Sequence, residues 1–201
     1  MAIANGYATL AELKTYLKID DSVEDTLLEN IVEAASRSID KIANRRFYLD
    51  TVATNRLYYT ANPYRVFIDD LGSATSLVIK TDPSEAGNYQ TTLLAADYIL
   101  EPVTATQKSR PWTSILIVNS GKSFSAGTSL RAPVSVTGFF GWPSIPDDIA
   151  QATLILSADL YKRKDSIGGV LGLSEMGAIR MSPLGRDIAA MVRAYRREMF
   201  A

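Results

Sequence analysis

Residues 136–165, VTGFFGWPSIPDDIAQATLILSADLYKRKD, decide the fold. Val136 to Phe140 reads as a strand with aromatic residues, and it runs into a Gly141-Trp142-Pro143 corner. A helix starts behind Pro146, because a proline at a helix start gives up an N–H that would have no intrahelical partner. Asp147 and Asp148 fall in its first turn, where the partial positive charge of the helix end favours carboxylates. Ile149, Ala152, Leu154, Ile155, Leu156, Ala158, Leu160 and Tyr161 cover most of its circumference, which predicts a central, buried helix. Lys162-Arg163-Lys164 close it with cations at the negative end of the dipole. The chain before this stretch reads as strands, and the chain after it as a mobile loop and one last helix.

Working back to the start, Thr9-Leu10-Ala11-Glu12 is a capping box, and a short helix to about Leu17 follows. Asp20-Asp21-Ser22 announces a second helix. Its apolar positions Leu28, Ile31, Ala35, Ile39 and Ile42 keep a 3.6-residue period to about Arg45, with Leu27 and Val32 widening the stripe. The first 40 residues carry eight acids and three bases, which reads as a solvated helix face.

From Thr51 to Gly141 the period changes to two. Candidate strands are Arg56 to Thr60, Arg65 to Ile68, Ser76 to Thr81, Tyr89 to Leu94, Tyr98 to Glu101, Ser114 to Val118 and Ser129 to Phe140. Asn62-Pro63, Asp70-Leu71-Gly72, Ala86-Gly87-Asn88, Ser120-Gly121 and Ala126-Gly127 read as turns between them. Short strands at this spacing predict a small antiparallel sheet or sandwich.

Residues 166–181 are rich in glycine yet apolar, with Ile167, Val170, Leu171, Leu173, Met176, Ile179 and Met181. A free loop stays polar, so this one is expected to cover a surface, either of a partner or of its own domain. Ser182-Pro183 starts the last helix. Leu184, Ile188, Met191, Val192, Tyr195 and Met199 fall on one face, and Arg186, Arg193 and Arg197 form a stripe opposite. That stripe reads as a solvated face or as a surface for DNA phosphate or an acidic partner.

Composition excludes several functions. The chain has no cysteine, hence no disulfide, thiolate metal site or cysteine nucleophile. It has no histidine, hence no Ser-His-Asp triad. The net charge of −1 gives no global field toward nucleic acid or membrane. Residues 1–11 lack the pattern of a secretory signal, and no apolar run reaches the roughly 18 residues of a membrane span. Gly121-Lys122-Ser123 matches the tail of a phosphate-binding loop, but Leu116 stands where the first glycine is required, so a hairpin turn is expected. Asp20-Asp21 and Asp147-Asp148 sit at helix starts and Asp69-Asp70 at a turn, structural places for aspartate, although a two-carboxylate hydrolase stays open as an alternative. Tyr58, Tyr59, Tyr64, Phe67, Trp112 and Trp142 read as core or interface packing, with stacking on bases as the alternative.

The two ends of the chain resemble the head–tail connector (adaptor) proteins of tailed phages. The resemblance lies in Tyr7 to Lys14, Leu17-Lys18-Ile19-Asp20-Asp21 and the long helix through Ala34-Ala35 to Asn44-Arg45-Arg46-Phe47. It continues in Val136, Gly138, Gly141-Trp142, Ile145-Pro146, Ile149, Ala152 and Tyr161-Lys162-Arg163. The resemblance implies an α+β chain: an antiparallel bundle of about four helices with a large antiparallel β insertion between the second and third. Residues 1–50 and 143–201 would form the bundle, with the mobile loop 166–181 and the C-terminal helix, and 51–142 the insertion.

It further implies a structural virion protein of the neck, made in the host cytoplasm, with no enzymatic activity and no cofactor. Such proteins form a ring, usually of twelve copies, between the portal protein and the next neck or tail-completion protein, with duplex DNA in the channel and no membrane contact. Carried onto this chain, Leu171, Leu173, Met176, Ile179, Leu184, Ile188, Met191, Val192, Tyr195 and Met199 become portal-contact residues. Arg186, Arg193 and Arg197 face the channel or an acidic partner. A monomeric DNA-binding module using the same arginine stripe is the alternative.

Overall fold

The computed structural model describes residues 3–82, 87–124, 133–164, 170–174, 177–180 and 186–197. The chain forms two compact units, one of residues 1–48 with 145–201 and one of residues 49–144. The described elements are four α-helices, a six-stranded antiparallel sheet and a two-stranded sheet, the expected α+β class.

In the helical unit, α1 spans Leu10–Leu17. The capping box forms: the Glu12 backbone N–H donates to Thr9 Oγ1 at 3.2 Å, and the Thr9 N–H donates to Glu12 Oε2 at 2.7 Å. The Thr9 N–H, and then its hydroxyl, hold the Glu12 carboxyl below its ordinary range. α2, Asp25–Ala43, starts later than Asp20-Asp21-Ser22 suggests. The Asp21 side chain accepts from the Val23 N–H at 3.0 Å, a local turn that occupies the carboxylate before the helix begins.

The buried stripe of α2 is Leu28, Val32, Ala35, Ser36, Ile39 and Ala43. It is rotated from the expected one: Ile31 is half-buried and Ile42 exposed, because a 3.6-residue pitch carries the seam from Val32 through Ile39 to Ala43. α3, Asp147–Arg163, starts behind Pro146 as expected. Its fully buried face is narrower than the sequence suggests, with Ile149, Ala152, Thr153, Leu156, Ser157 and Ala158 inside and Leu154, Ile155, Leu160 and Tyr161 half-buried. Thr153 can be buried because its hydroxyl donates back to the Ile149 carbonyl at 2.8 Å.

Leu13, Leu28, Val32 and Ala8 form one core cluster with Leu154 and Tyr161 beside it. Fully burying one such Leu stabilises by about 1.5–3 kcal/mol. The last helix, α4, is Arg186–Arg193, shorter than the run to Met199 that the apolar spacing predicts, and it packs on α3 and α2. Ser182 and Pro183, read as its start, lie outside the described residues.

Within 166–181, read from the sequence as a mobile loop, β7 (Val170–Ser174) and β8 (Gly177–Arg180) pair antiparallel. Leu173 stands opposite Ala178 and Ser174 opposite Gly177. Val170, Leu171, Leu173 and Ile179 suit a strand, so glycine here is compatible with a hairpin rather than a coil.

The second unit holds β1 (Thr54–Tyr58), β2 (Arg65–Thr81), β3 (Thr91–Leu93), β4 (Tyr98–Glu101), β5 (Trp112–Ile117) and β6 (Val134–Phe140). The order is β1-β6-β2-β5-β4, with β3 on β2. Residues 129–132, read as the start of β6, lie outside the described residues.

β2 overturns one expectation. Asp70-Leu71-Gly72 is not a turn between two strands; it lies inside one strand of 17 residues. The first half of β2 pairs with β5 and the second with β6, and Leu71 faces both Trp112 and Phe140. Register shifts on both sides of Leu71 bend the strand there. Glycine at 72 serves close approach: a Cβ there would stand 2.6 Å from Leu49 Cδ1 and 2.7 Å from the Gly141 carbonyl.

Gly141, at φ 119°, donates its N–H to the Asp70 carbonyl at 2.7 Å, so the Gly-Trp-Pro corner is anchored on β2. Val66, Ile68, Leu71, Ile79, Ile115, Val136 and Phe140 fill the core of this unit with Phe124.

Gly72→Ala should lower stability by about 1–3 kcal/mol, because backbone and not only a flexible side chain meets the new methyl. A urea titration checks this, and an unchanged midpoint contradicts it. Thr9→Ala should cost about 1 kcal/mol near neutral pH. The Thr9 backbone N–H still holds Glu12 in the variant, so the charge-assisted part that is lost is the bond from the Thr9 hydroxyl, which is present above the ordinary glutamate value of about 4.3 and fades as pH falls through the lowered one. The gap between the two proteins in urea should therefore narrow at about pH 3.

Candidate functional site

The last residues of α2 and those that follow α4 meet in the helical unit. α2 ends at Asn44 in the left-handed region, φ 52°, which leaves carbonyls at the end of the helix without intrahelical partners. The Arg197 N–H donates to the Ala43 carbonyl at 2.9 Å, and Asn44 Nδ2 donates to the Arg197 carbonyl at 3.4 Å. Just beyond, Phe47 is fully buried, with Tyr7 edge-on at 5.7 Å and Tyr195 edge-on at 5.8 Å.

The Tyr7 hydroxyl donates to Asp40 Oδ1 and accepts from the Phe47 N–H at 2.8 Å. Arg37 Nε donates to Asp40 Oδ2 at 2.8 Å, and its guanidinium lies over the rings of Tyr7 and Tyr48. Burial pushes the Tyr7 phenol well above its usual range. It also raises Asp40, against the opposing hydrogen bonds from Tyr7 and Arg37. The network is structural: it ties the N-terminal segment, α2 and the C-terminal residues together.

The residues read as a docking face divide into four groups. Ile188 and Val192 are buried, so this part of the greasy face seats α4 on its own bundle. Met191 and Tyr195 are half-buried, and the Tyr195 hydroxyl donates to Asp148 Oδ2 at 3.0 Å. Leu171, Leu173 and Ile179 belong to the hairpin strands, while Met176, Leu184 and Met199 lie outside the described residues.

The arginine stripe is also shorter than predicted. Arg186 and Arg193 are the first and last residues of α4, and Arg197 lies past the helix end. Arg193 is exposed and Arg197 half-buried. Sequence reasoning passed over Lys41, Arg45, Arg46 and Arg196, which the Arg197–Ala43 hydrogen bond brings to the same end of the unit. The available signal was the Arg45-Arg46 pair directly after a long helix.

The acidic N-terminal half is not simply a solvated face. Asp25 pairs with Lys14 at 2.7 Å. Glu24 pairs with Lys164 and accepts from the Tyr161 hydroxyl at 2.5 Å, and these contacts hold its carboxyl below the ordinary range, Lys164 foremost. Glu33 Oε1 accepts the Ala4 and Asn5 N–H groups at 2.7 and 3.0 Å. These acids join α2 to α1, α3 and the N-terminal segment.

The remaining motifs are structural. Gly121 lies in a turn, its N–H donating to Asn119 Oδ1 at 3.0 Å, and no helix follows Ser123 among the described residues. Asp69 and Asp70 lie within β2 rather than at a turn, on opposite faces. Asp69 Oδ2 accepts from Arg56 at 2.8 Å and from the Tyr58 hydroxyl at 3.2 Å. No group of three or more carboxylates suited to a metal ion occurs among the described residues. Trp142 is buried and Tyr58 and Trp112 are half-buried, whereas Tyr59, Tyr64 and Phe67 are exposed. No helix among the described residues is long and apolar enough to cross a membrane.

Residues 7–81 match the family described as phage gp6-like head-tail connector protein, a stretch that begins before α1 and ends with the last residue of β2. The resemblance stated from the sequence is thereby borne out.

Over the whole chain, the fold is similar to that of a chain from the neck of an empty gene transfer agent (GTA) particle computed with C6 symmetry. The identity is 19% and the TM-score 0.57, covering 100% of this chain and 95% of that one. A chain of the native GTA virion is similar at 17% identity and a TM-score of 0.53, with 100% and 95% covered. A chain from the native GTA neck computed with C12 symmetry is similar at 18% identity and a TM-score of 0.52, with 100% and 94% covered. None of the curated proteins matches.

Tyr7→Phe removes the acceptor of the Phe47 N–H and the hydroxyl donor to Asp40. It should cost about 1–3 kcal/mol, read as a lower urea midpoint. A loss below about 0.5 kcal/mol would show that the network contributes little.

Proposed function

We propose that this chain is a structural neck protein that forms a ring between the portal protein and the next neck or tail-completion protein, with duplex DNA passing through the channel. The observation that carries the reading is the connector-family match over residues 7–81. Full-length likeness of fold to chains of GTA necks computed with C6 and C12 symmetry supports a ring, and twelve copies is the number we propose. The working location is the virion neck after synthesis in the host cytoplasm, with no cofactor.

Portal contact is assigned to the residues read from the sequence as a docking face, apart from the buried Ile188 and Val192. The residues are Leu171, Leu173, Met176 and Ile179, then Leu184, Met191, Tyr195 and Met199. Ile188 and Val192 act indirectly, by holding α4 in place. Arg186, Arg193 and Arg197 face the channel or an acidic surface.

Mixing the protein with portal should convert a small species into a ring on the portal, seen by light scattering and electron microscopy. A protein that stays monomeric and never binds portal overturns the reading. Leu171→Asp with Leu173→Asp should weaken portal binding at least about tenfold, the scale of a lost apolar anchor.

A further inference from the structure

The sheet of the second unit has two free edges. Its order is β1-β6-β2-β5-β4, so β1 closes one end and β4 the other. Among the described residues neither strand has a second neighbour, and each presents a row of backbone N–H and C=O groups with no partner strand. The register of β1 on β6 and of β4 on β5 is unbroken, so no bulge twists either edge away. No lysine or proline stands within either strand. Bulges, lysines and prolines are the common guards of an edge, and both edges lack them.

Exposed apolar side chains gather at the same two places. Val52 and Leu57 lie beside and on β1, and Leu94, Ile99 and Val103 beside and on β4. A single exposed apolar residue is ordinary on a surface and needs no partner. Here the charges set the edges apart. Arg56, the charge of β1, pairs with Asp69 at 2.8 Å and Asp50 at 3.6 Å, and lies over the Phe140 ring at 4.0 Å. Asp97, just before β4, is buried and accepts from the Leu94 N–H at 2.8 Å and from Asn119 Nδ2 at 2.7 Å. Glu101 pairs with Arg65 at 3.0 Å and accepts from the Ser114 hydroxyl at 3.0 Å. Every charged side chain of residues 51–60 and 94–104 is thus engaged inside its own unit.

Two neutral, apolar edges fit each other. Apposing them desolvates no unpaired charge, whereas a strongly acidic or basic partner finds no opposite charge there. Strand direction permits the same match. Four antiparallel steps separate β1 from β4, so the two run the same way. Copies placed side by side in one orientation bring β4 of the first parallel to β1 of the second. That contact is head to tail, leaves an edge for the next copy, and closes into a ring when the rotation allows. Pairing of β4 with β4 about a two-fold axis would stop at two copies.

We propose that β4 of one copy pairs with β1 of the next, so that the sheets join edge to edge around the ring. The inference rests on the neck reading for the ring itself. Main-chain hydrogen bonds supply the attraction, and the exposed apolar side chains the fit. Strands this short bury on the order of a few hundred Å² when paired, well under the roughly 1,200 Å² of a stable interface. Free copies therefore stay apart, and the edges pair once assembly holds the copies side by side.

The chain has no cysteine, so a thiol crosslinker reacts only at introduced positions. Leu57→Cys and Ile99→Cys are made as separate proteins, at side chains 54% and 41% exposed. They are mixed in equal amounts, with portal in one arm and concentrated alone in the other. A bismaleimide reaching about 10 Å, two strand spacings, is then added. The expected product joins position 57 of one copy to position 99 of another, identified by peptide mass. Ile99→Lys, which puts a charge on the edge, should raise the concentration needed for half-maximal ring assembly at least about tenfold. Phe67→Lys, on the exposed face of the central strand β2, should leave it unchanged.

No 57–99 product in either arm overturns the proposal. An excess of 57–57 or 99–99 product overturns it in favour of a two-fold pair, and crosslinking to portal in place of a second copy overturns it in favour of a portal strand. Equal loss of assembly in Ile99→Lys and Phe67→Lys also overturns it. The two readings fail separately. A ring on portal without the 57–99 product removes the edge pairing and keeps the neck assignment; the 57–99 product from a chain that never binds portal does the reverse.

Discussion

Burial of the Phe47 ring between Tyr7 and Tyr195 is the constraint on which the helical unit depends. It joins residues from the start of the chain, the end of α2 and the end of α4, segments that no local interaction could hold. The aromatic edges supply part of the energy, about 0.5–1.5 kcal/mol for each pair beyond area burial. The Tyr7 hydroxyl supplies specificity, because it satisfies the Phe47 N–H and Asp40 in one position. α4 is only eight residues long, and a helix of that length is marginal in isolation. Ile188 and Val192 in the bundle and Tyr195 on Phe47 give it a fixed place.

The sheet unit solves a different problem. β2 has to serve two partners in succession, β5 along its first half and β6 along its second. Gly72 permits the close approach of the chain at Gly141 and Leu49 where this exchange takes place. The corner Gly141-Trp142-Pro143 is set by the same contact, through the Gly141 N–H on Asp70. The exit from the sheet is therefore defined by a backbone that only glycine allows at two positions.

Charge fastens the helical unit together. The acids of the N-terminal half face inward onto lysines, hydroxyls and backbone N–H groups, so they fasten helices together. Of the bases at the ends of α2 and α4, Lys41, Arg193 and Arg196 are exposed, while Arg45, Arg46 and Arg197 are half-buried.

Much of this was legible in the residues themselves. The Thr9–Glu12 box, the helix behind Pro146 and the change of period after Thr51 are local signals, and local physics gives them the same meaning in any fold. The resemblance at the two ends of the chain pointed to the connector family before any coordinates. What sequence could not supply was pairing and rotation. Asp70-Leu71-Gly72 has the composition of a turn, yet two neighbouring strands and a close backbone contact hold it extended. Residues 166–181 have the glycines of a loop, yet cross-strand pairing makes their described part a hairpin.

The greasy stripe of α4 reads equally well as a docking face or a core face, since periodicity records that a face is apolar and not what covers it. The meeting of the ends of α2 and α4 was hidden for a related reason. The two segments are about 150 positions apart along the chain, and the Arg197–Ala43 and Asn44–Arg197 hydrogen bonds with the Phe47–Tyr195 ring contact bring them together. Sequence alone thus determined the capping box, the helix behind Pro146 and the α+β class, because those depend on neighbours within a few residues. Tertiary structure decided which faces are spent on the protein's own core and which remain for partners, because that depends on contacts between segments far apart in the chain.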